Sequence, residues 1–289
     1  MKKTLFKNGQ LSWKLAFLLL VLSMFTHCIK ENEVPAYLYI PSFSMSTSAG
    51  QGTSAQKITD AWVYVDGLVQ GIYQLPVQFP VVNLGKHDIQ VFPGIRNNGI
   101  RSNPVINPFL TSFKVTMDLK SGKIDTIRPS TSYISGTVFK IVEDFENGNT
   151  LTVDRDNAPN FRFGQLPEGF EGKCAGLTMT KTNSYFEKAL SAKVALPDNS
   201  QNIYIEMHYK TEAPIAVGIF GTSATNSIGA TAYKVTLFPS ATWNKTYINL
   251  TTEAKDLKMT DFQIVFKSLL PDSISTAKML IDNIKLLQR

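Results

Sequence analysis

The seven residues AWVYVDG, at positions 61–67, carry the pattern that decides the fold. Ala61, Val63 and Val65 fall on one side of an extended chain, and the residues between them fall on the other. This period of two is typical of a β-strand with one buried face. The Asp-Gly pair that ends the run favours a tight turn, because both residues tolerate a positive φ. The stretch therefore predicts a β-hairpin.

The same alternation recurs on both sides of this hairpin. FKVTMDL, at positions 113–119, places apolar residues on one face, and Ser121-Gly122 then marks a turn. No segment after residue 28 keeps an apolar period of 3.6 for ten residues, and only positions 183–196 could hold a short helix. We predict an all-β protein, a small N-terminal β-sandwich followed by a C-terminal antiparallel jelly roll. Further predicted strands lie at 202–210, 215–220, 232–238, 242–250 and 261–269.

Positions 63–94 resemble the PEGA-type β-sandwich modules of bacterial envelope proteins. The resemblance lies in a strand that ends in Val-Asp-Gly, a following Gly and Pro, and a strand of the form Leu-Gly-x-His-x-Ile-x-Val. It implies a compact scaffold or adhesion module without catalysis, which we place at 37–130. The matching residues are Val65, Asp66, Gly67, Gly71, Pro76, Leu84, Gly85, His87, Ile89 and Val91.

The C-terminal half opens with EDFE at 143–146 and closes with IDNIKL at 281–286. These two ends resemble those of galactose-binding-like jelly rolls, the fold of many carbohydrate-binding modules, and the resemblance implies such a domain at 140–289. In that fold the first and last strands lie side by side, which would bring Glu143, Asp144 and Asp282 together. Calcium prefers such oxygen ligands. The alternative is that these acids are solvated or hydrogen-bonded, and we predict no other cofactor.

The first 27 residues have the layout of a secretory signal peptide. Four lysines and no acids precede an apolar run from Leu15 to Phe25. The run is about half of the roughly 20 residues that a membrane-spanning helix needs. The run leads into Thr26-His27-Cys28, which resembles the lipobox of bacterial lipoproteins and implies that Cys28 is lipidated. The alternative is an ordinary signal peptide cut nearby, with Cys28 as a free thiol.

The residues after Cys28 bear on localisation. Positions 28–36 form the expected tether, and Lys30 followed by Glu31 and Glu33 resembles the surface-export signal of Bacteroidota lipoproteins. The resemblance implies a lipid anchor in the outer membrane and a chain that faces the cell exterior. The periplasmic side is the alternative.

Charge and cysteine content exclude other classes. The net charge of +6 includes four signal-peptide lysines, so the mature chain has 25 basic and 23 acidic residues, or +2. No basic cluster remains that could follow a phosphate backbone, and nucleic-acid binding is not expected. Only Cys174 could stay a free thiol in the lipidated chain, so we expect no disulfide. We interpret Cys174 as a small buried apolar residue.

No catalytic motif points to an enzyme. The sequence lacks G-x-S-x-G, H-E-x-x-H, C-x-x-C and a Gly-rich phosphate loop. A carbohydrate-active enzyme that needs only two carboxylates stays as a third reading. The favoured interpretation is a non-enzymatic binding or assembly subunit with an outer-membrane protein partner. The loop at 92–109 supports it with apolar residues that could contact that partner or pack on their own domain: Ile95, Ile100, Ile106 and Phe109.

The alternative function is glycan binding by the C-terminal jelly roll. The strand predicted at 202–210 turns an aromatic and three polar side chains to one face: Tyr204, Glu206, His208 and Lys210. Such a group could hold a sugar if the strand is exposed, and otherwise it is an ordinary face of a sandwich. Two further sites are predicted, since Asp125-Thr126-Ile127 and Asp272-Ser273-Ile274 resemble the acceptor motif of Bacteroidota O-glycosylation. Thr126 and Ser273 would carry the glycan.

Overall fold

A computed structural model describes residues 34–196 and 202–289. The signal peptide, Cys28 and most of the tether lie outside the described residues. Within the described part, no helix is long and apolar enough to cross a membrane. The regular secondary structure of the described residues is β-strand apart from one short helix, which confirms the predicted all-β class.

The N-terminal unit consists of two sheets and a two-stranded pair. One sheet has the order β5-β1-β9, and the other has the order β4-β3-β6-β7 with β8 also paired to β6. The small pair joins β2 to β10. The strands are β1 (Ala36–Ile40), β2 (Ser44–Met45), β3 (Asp60–Val65), β4 (Leu68–Gln74), β5 (Val77–Val81), β6 (Gly85–Arg96), β7 (Pro104–Ile106), β8 (Phe113–Leu119), β9 (Ile124–Thr126) and β10 (Ser130–Thr131).

The hairpin predicted from AWVYVDG is present between β3 and β4. Asp66 has φ 51° and Gly67 has φ 79°, so both turn residues adopt the positive φ that a type I′ turn requires. Ala61 and Val63 are fully buried. The His87 imidazole contacts the Asp66 carboxylate, with 2.6 Å between Nδ1 and Oδ2. His87 is thus a hydrogen-bonded strand residue.

The C-terminal unit is a sandwich of two antiparallel sheets. The first sheet has the order β13-β14-β21-β16-β19, with β11 also paired to β21, and the second has the order β12-β15-β20-β17-β18. The elements are β11 (Val138–Glu143), β12 (Val153–Asp154), β13 (Gly164–Leu166), β14 (Cys174–Thr180), β15 (Tyr185–Ala189), β16 (Ile203–Thr211), β17 (Ile215–Ser223), β18 (Asn226–Leu237), β19 (Ser240–Asn249), α1 (Thr251–Leu257), β20 (Asp261–Leu269) and β21 (Thr276–Gln288).

The first and last strands of this sandwich are neighbours, as the jelly-roll resemblance implied. β11 pairs antiparallel with β21 from Val138 opposite Gln288 to Glu143 opposite Ile284. The side chains between the two sheets form one hydrophobic core that includes Phe145, Phe186 and Ile264. The strands from the start and the end of this unit's sequence are therefore hydrogen-bonded to each other in one sheet.

The short helix that the sequence allowed at 183–196 is not formed. Those residues contain β15, in which Phe186 packs into the core while Tyr185 and Glu187 point outward. The five residues of β15 are too few to show a clear period of two, and they include Glu, Lys and Ala, which favour helices. The one α-helix of the described residues is α1, a short connection between β19 and β20.

The two units share a core. The N-terminal hydrophobic cluster also contains three side chains from the first C-terminal sheet, namely Tyr204, Tyr247 and Leu287. The N-terminal unit thus lies on the outer face of that sheet. The second C-terminal sheet turns its outer face the other way, because the two sheets pack through their inner faces.

Candidate functional site

The predicted sugar-binding face on β16 is buried and therefore is not available to a sugar. Tyr204, Glu206 and His208 share one face of the strand but are only 5%, 1% and 3% exposed. Only Lys210 reaches partly into solvent. The prediction assumed an exposed strand, but the N-terminal unit covers it, and sequence periodicity does not record which unit packs on which face.

A polar network fills the space between the units. The Glu206 carboxylate accepts hydrogen bonds from the Tyr133 hydroxyl and the Lys245 ammonium, each at 3.0 Å. The Lys285 ammonium donates to the Tyr133 hydroxyl at 3.1 Å and to the Thr53 carbonyl at 2.6 Å. Buried charges need such partners, so these residues hold the two units together.

His208 is part of the same interface. Its ring stacks on Phe170, with 4.0 Å between ring centroids and an interplanar angle of 11°. Burial, with the charges of Lys245 and Lys285, lowers the pKa of His208 to about 3. The imidazole is therefore neutral near pH 7, and it is buried from solvent.

The predicted partner-binding loop packs mostly on its own chain. Ile95 lies in β6 and is fully buried, and Phe109 is 1% exposed. The Phe109 ring meets Tyr204 edge-on, with 5.5 Å between centroids. Ile106 ends β7 and is half-buried, so only Ile100 is exposed. Ile95 and Phe109 thus pack in the core that the two units share, as the packing alternative expected. Contact of a partner with the exposed Ile100 stays a prediction.

The three acids predicted to bind calcium do not form a shared site. Glu143 accepts the backbone N–H of Phe145 at 2.6 Å, and Asp144 accepts that of Glu146 at 3.1 Å. Asp282 is fully buried and accepts the N–H of Phe170 at 2.8 Å. Within residues 34–196 and 202–289, no group of three or more His, Cys, Asp or Glu side chains is placed to hold a metal ion.

The remaining predicted residues have simple placements. Thr126 is exposed at the end of β9, and Ser273 is exposed in the turn before β21. Both stay predicted acceptors of O-glycosylation. Cys174 is buried, and this burial raises the pKa of its thiol to about 11. A thiol of that kind is a packing residue, as predicted.

The outer face of the second C-terminal sheet carries a group of aromatic and charged side chains. We call it the open face and define it by six residues: Arg155, Tyr185, Glu187, Phe220, Tyr233 and Lys267. Three of these come from β15 and β20, which lie side by side in the sheet. Directly paired residues of antiparallel strands share a face, and Glu187 is paired with Lys267.

Small residues form the floor of the open face. The register places Ala189 opposite Val265, Val265 opposite Gly218, and Gly218 opposite Tyr233. This row crosses four strands and offers little side-chain height except at Tyr233. Ala189 and Val265 are fully buried, because larger side chains of the open face, among them Phe220 and Tyr233, pack over this row.

Cations lie over the aromatic rings of this face. The Arg155 guanidinium carbon is 3.6 Å from the Phe220 ring centroid, and the Lys267 ammonium is 4.0 Å from that of Tyr233. Such contacts stabilise a cation by about 0.5–1 kcal/mol at exposed sites. The positive groups are thus fixed in position across the sheet.

Glu187 links this layer to an accessible tyrosine. Its carboxylate accepts from Arg155 Nε at 3.0 Å and from the Tyr185 hydroxyl at 3.1 Å. Tyr185 is 42% exposed, while the Arg155 and Glu187 side chains are 20% and 18% exposed. Burial, followed by the hydrogen bond to Glu187, raises the pKa of Tyr185. The phenol therefore stays neutral, and the face offers a ring beside a planar ion pair.

Sequence reasoning missed the open face. The signal that could have found it is the alternation of Tyr185 and Glu187 with buried neighbours in β15. Arg155 and Tyr233 lie 30 and 48 residues from Tyr185 in the printed sequence, in segments with no motif of their own. Only the order of strands in the second sheet brings them together.

Solved structures similar to this chain include β-sandwich modules that bind carbohydrates. One, from a study of promiscuous specificity in the β-sandwich superfamily of carbohydrate-binding modules, is 14% identical, with 89% of this chain and 99% of that chain covered and a TM-score of 0.37. The family 11 carbohydrate-binding module of a cellulosomal cellulase from Clostridium thermocellum is 17% identical, with 54% and 97% covered and a TM-score of 0.38.

A third similar structure is the K3 cleaved adhesin domain of Lys-gingipain from Porphyromonas gingivalis. It is 15% identical, with 53% of this chain and 99% of that chain covered and a TM-score of 0.36. Likeness at this level carries no argument about the ligand of this chain. No protein-family model matches the sequence, and no curated protein matches it.

Proposed function

We propose that this protein binds glycans without catalysis, through the open face of its C-terminal sandwich. The observation that carries the proposal is the accessible Tyr185 ring, held beside the Arg155–Glu187 ion pair. This arrangement combines an apolar surface with planar hydrogen-bonding groups on one side of a sheet.

The chemistry of a sugar fits such a surface. A pyranose ring has C–H faces that can pack on an aromatic ring, and its edge carries hydroxyls that need directional partners. Carboxylate and guanidinium groups supply such partners with fixed geometry. A Tyr side chain also adds contact area at a low entropic cost, because it has few rotatable bonds. Tyr185, Glu187 and Arg155 would together bind one sugar unit.

The open face offers little for hydrolysis. Glycoside hydrolysis generally needs two carboxylates on opposite sides of the scissile bond. Glu187 is the one carboxylate among the six residues that define the open face, and it is paired with Arg155. A binding role therefore fits this face better than an enzymatic one.

The proposal includes display from a membrane. We infer from the lipobox resemblance at Cys28 that the chain is anchored in an outer membrane and faces outward. Acyl chains contribute about 0.8 kcal/mol per buried methylene, so two or more hold a protein stably. An outer-membrane protein partner stays a prediction. Of the loop residues that suggested it, Ile95 and Phe109 are buried, and Ile100 is exposed.

Affinity electrophoresis of the mature chain in gels that contain neutral polysaccharides tests the proposal. We expect galactan, xylan or mixed-linkage glucan to retard the protein, and Tyr185→Ala to abolish the retardation. Tyr64→Ala serves as the matched control, because Tyr64 lies on β3 of the N-terminal unit. Equal migration in every gel, or equal retardation of Tyr185→Ala, would contradict glycan binding at the open face.

A further inference from the structure

A polar groove lies between the two units, far from the open face in the fold. The Asn98 backbone N–H donates to the Tyr247 carbonyl at 2.9 Å, and the Asn98 side-chain oxygen accepts the Asn249 N–H at 2.8 Å. These bonds fix the loop between β6 and β7 on β19. Cavities of about 230 and 410 Å³ open beside this contact and share four residues: Lys57, Gly99, Lys245 and Thr246. We call them together the junction groove.

The junction groove has an excess of positive charge. Its smaller cavity is lined by four cationic side chains: Lys57, Arg96, Arg101 and Lys245. Two of them have carboxylate partners, since Arg96 is 2.8 Å from Asp60 and Lys245 is 3.0 Å from Glu206. Lys57 and Arg101 have no carboxylate partner within the described residues. Two positive charges therefore remain uncompensated around one cavity.

The two uncompensated cations differ in setting. The Lys57 ammonium donates to the Asn244 side-chain oxygen, and burial lowers the pKa of Lys57. Arg101 is exposed on the loop and can turn its guanidinium toward the cavity. One cation is held by a hydrogen bond, and the other lies at the exposed side of the cavity.

The wall of the groove also holds an unsatisfied hydroxyl. Thr246 is 4% exposed, and within the described residues its Oγ1 is buried without a hydrogen-bond partner. A buried polar atom without a partner is destabilising, so a ligand atom that bonds it would be favoured. Thr246 lines both cavities.

We propose that the junction groove binds an oxyanion, a carboxylate, sulfate or phosphate, carried by a small polar ligand such as an acidic saccharide. Pockets for apolar ligands are lined mainly by hydrophobic side chains, whereas the smaller cavity of the groove is lined mainly by cations, an amide and hydroxyls. Arg and Lys are the residues that recognise oxyanions, with Arg able to form two parallel hydrogen bonds. Lys57, Arg101 and Thr246 would contact the anion.

Calorimetric titration of the mature chain with trigalacturonate, its uncharged galactose counterpart and inorganic sulfate tests this inference. We expect trigalacturonate to bind, the uncharged trisaccharide not to bind in the groove, and added salt to weaken the interaction. Arg101→Glu should weaken binding about tenfold or more, because it replaces a charge-assisted contact with repulsion. Lys120→Glu is the matched control, an exposed cation beside the end of β8.

The outcomes separate this inference from the proposed function. Sulfate that binds and competes with trigalacturonate would support the oxyanion site and identify a free anion as an additional source. Tyr185→Ala should leave trigalacturonate binding unchanged. Affinity that Arg101→Glu and Lys57→Gln both leave unaltered would overturn the inference. So would the absence of binding by both trigalacturonate and sulfate.

Discussion

The Tyr133 hydroxyl of the N-terminal unit donates a hydrogen bond to the Glu206 carboxylate of the C-terminal unit, at 3.0 Å, with both residues buried. Lys245 and Lys285 complete the network on either side. A carboxylate in this position would be costly without its partners. The contact thus fixes how the two units sit together, and it is why β16 is closed to a glycan while the second sheet is not.

Tyr133→Phe should destabilise the protein by about 1–3 kcal/mol, because it removes a hydrogen-bond donor from the buried Glu206 carboxylate and an acceptor from the Lys285 ammonium. Chemical denaturation monitored by tryptophan fluorescence measures the change. Tyr64→Phe is the matched control, since the Tyr64 ring packs on Phe92 at a distance from the interface. Equal stability of the two variants would show that the interface network does not contribute.

Acid should destabilise the protein through His208. The pKa of His208 is about 3 in the fold and 6.5 ordinarily, so between these values the unfolded chain binds the extra proton. Stability then falls as the pH is lowered from 6.5 toward 3. Asp282 works in the opposite sense, since burial raises its pKa from 3.8 to about 6 and protonation favours the fold in that window.

His208→Gln isolates the histidine from Asp282 and from the neighbouring charges of Lys245, Lys285 and Glu206. We expect the variant to lose less stability than the wild type between about pH 7 and pH 4, because it has no imidazole to protonate. Denaturation curves at several pH values measure this difference. A constant difference between variant and wild type across that range would contradict a depressed His208 pKa.

The pKa of His87 should be shifted in the opposite direction from that of His208. Its hydrogen bond to Asp66 raises its pKa above the ordinary value of 6.5. Asp66→Asn should return the titration midpoint of His87 toward 6.5, and NMR of the imidazole protons would record it. The same midpoint in both proteins would mean that the Asp66 contact does not persist in solution.

Cys28→Ala should release the protein from membranes or block its maturation, because the lipid chains would have no attachment site. Fractionation of the native host, followed by a high-salt wash, measures the anchor. A Ser23→Ala variant controls for general effects of changing the signal segment. If Cys28→Ala still sediments with the outer membrane after the wash, the lipobox interpretation is wrong.

Much of the strand content could be predicted from the sequence, because it is local. The alternation in AWVYVDG and the Asp66-Gly67 pair determine a hairpin without distant contacts. The strand at 202–210 was also predicted. What could not be predicted is which of its faces is covered, since Tyr133 and Glu206 are 73 residues apart. The open face was missed for the same reason, because Arg155, Glu187 and Tyr233 meet only through sheet order.

The central claim is that the open face binds a glycan, and mapping the ligand by NMR tests it most directly. The mature chain, labelled with ¹⁵N, would be titrated with an oligosaccharide from the polysaccharide that retards it most in affinity gels. The account predicts that the largest amide shifts fall at Tyr185, Glu187, Tyr233 and Lys267. It also predicts that Tyr185→Ala removes these shifts. Shifts confined to the N-terminal unit, or the absence of any shift at saturating oligosaccharide, would contradict it.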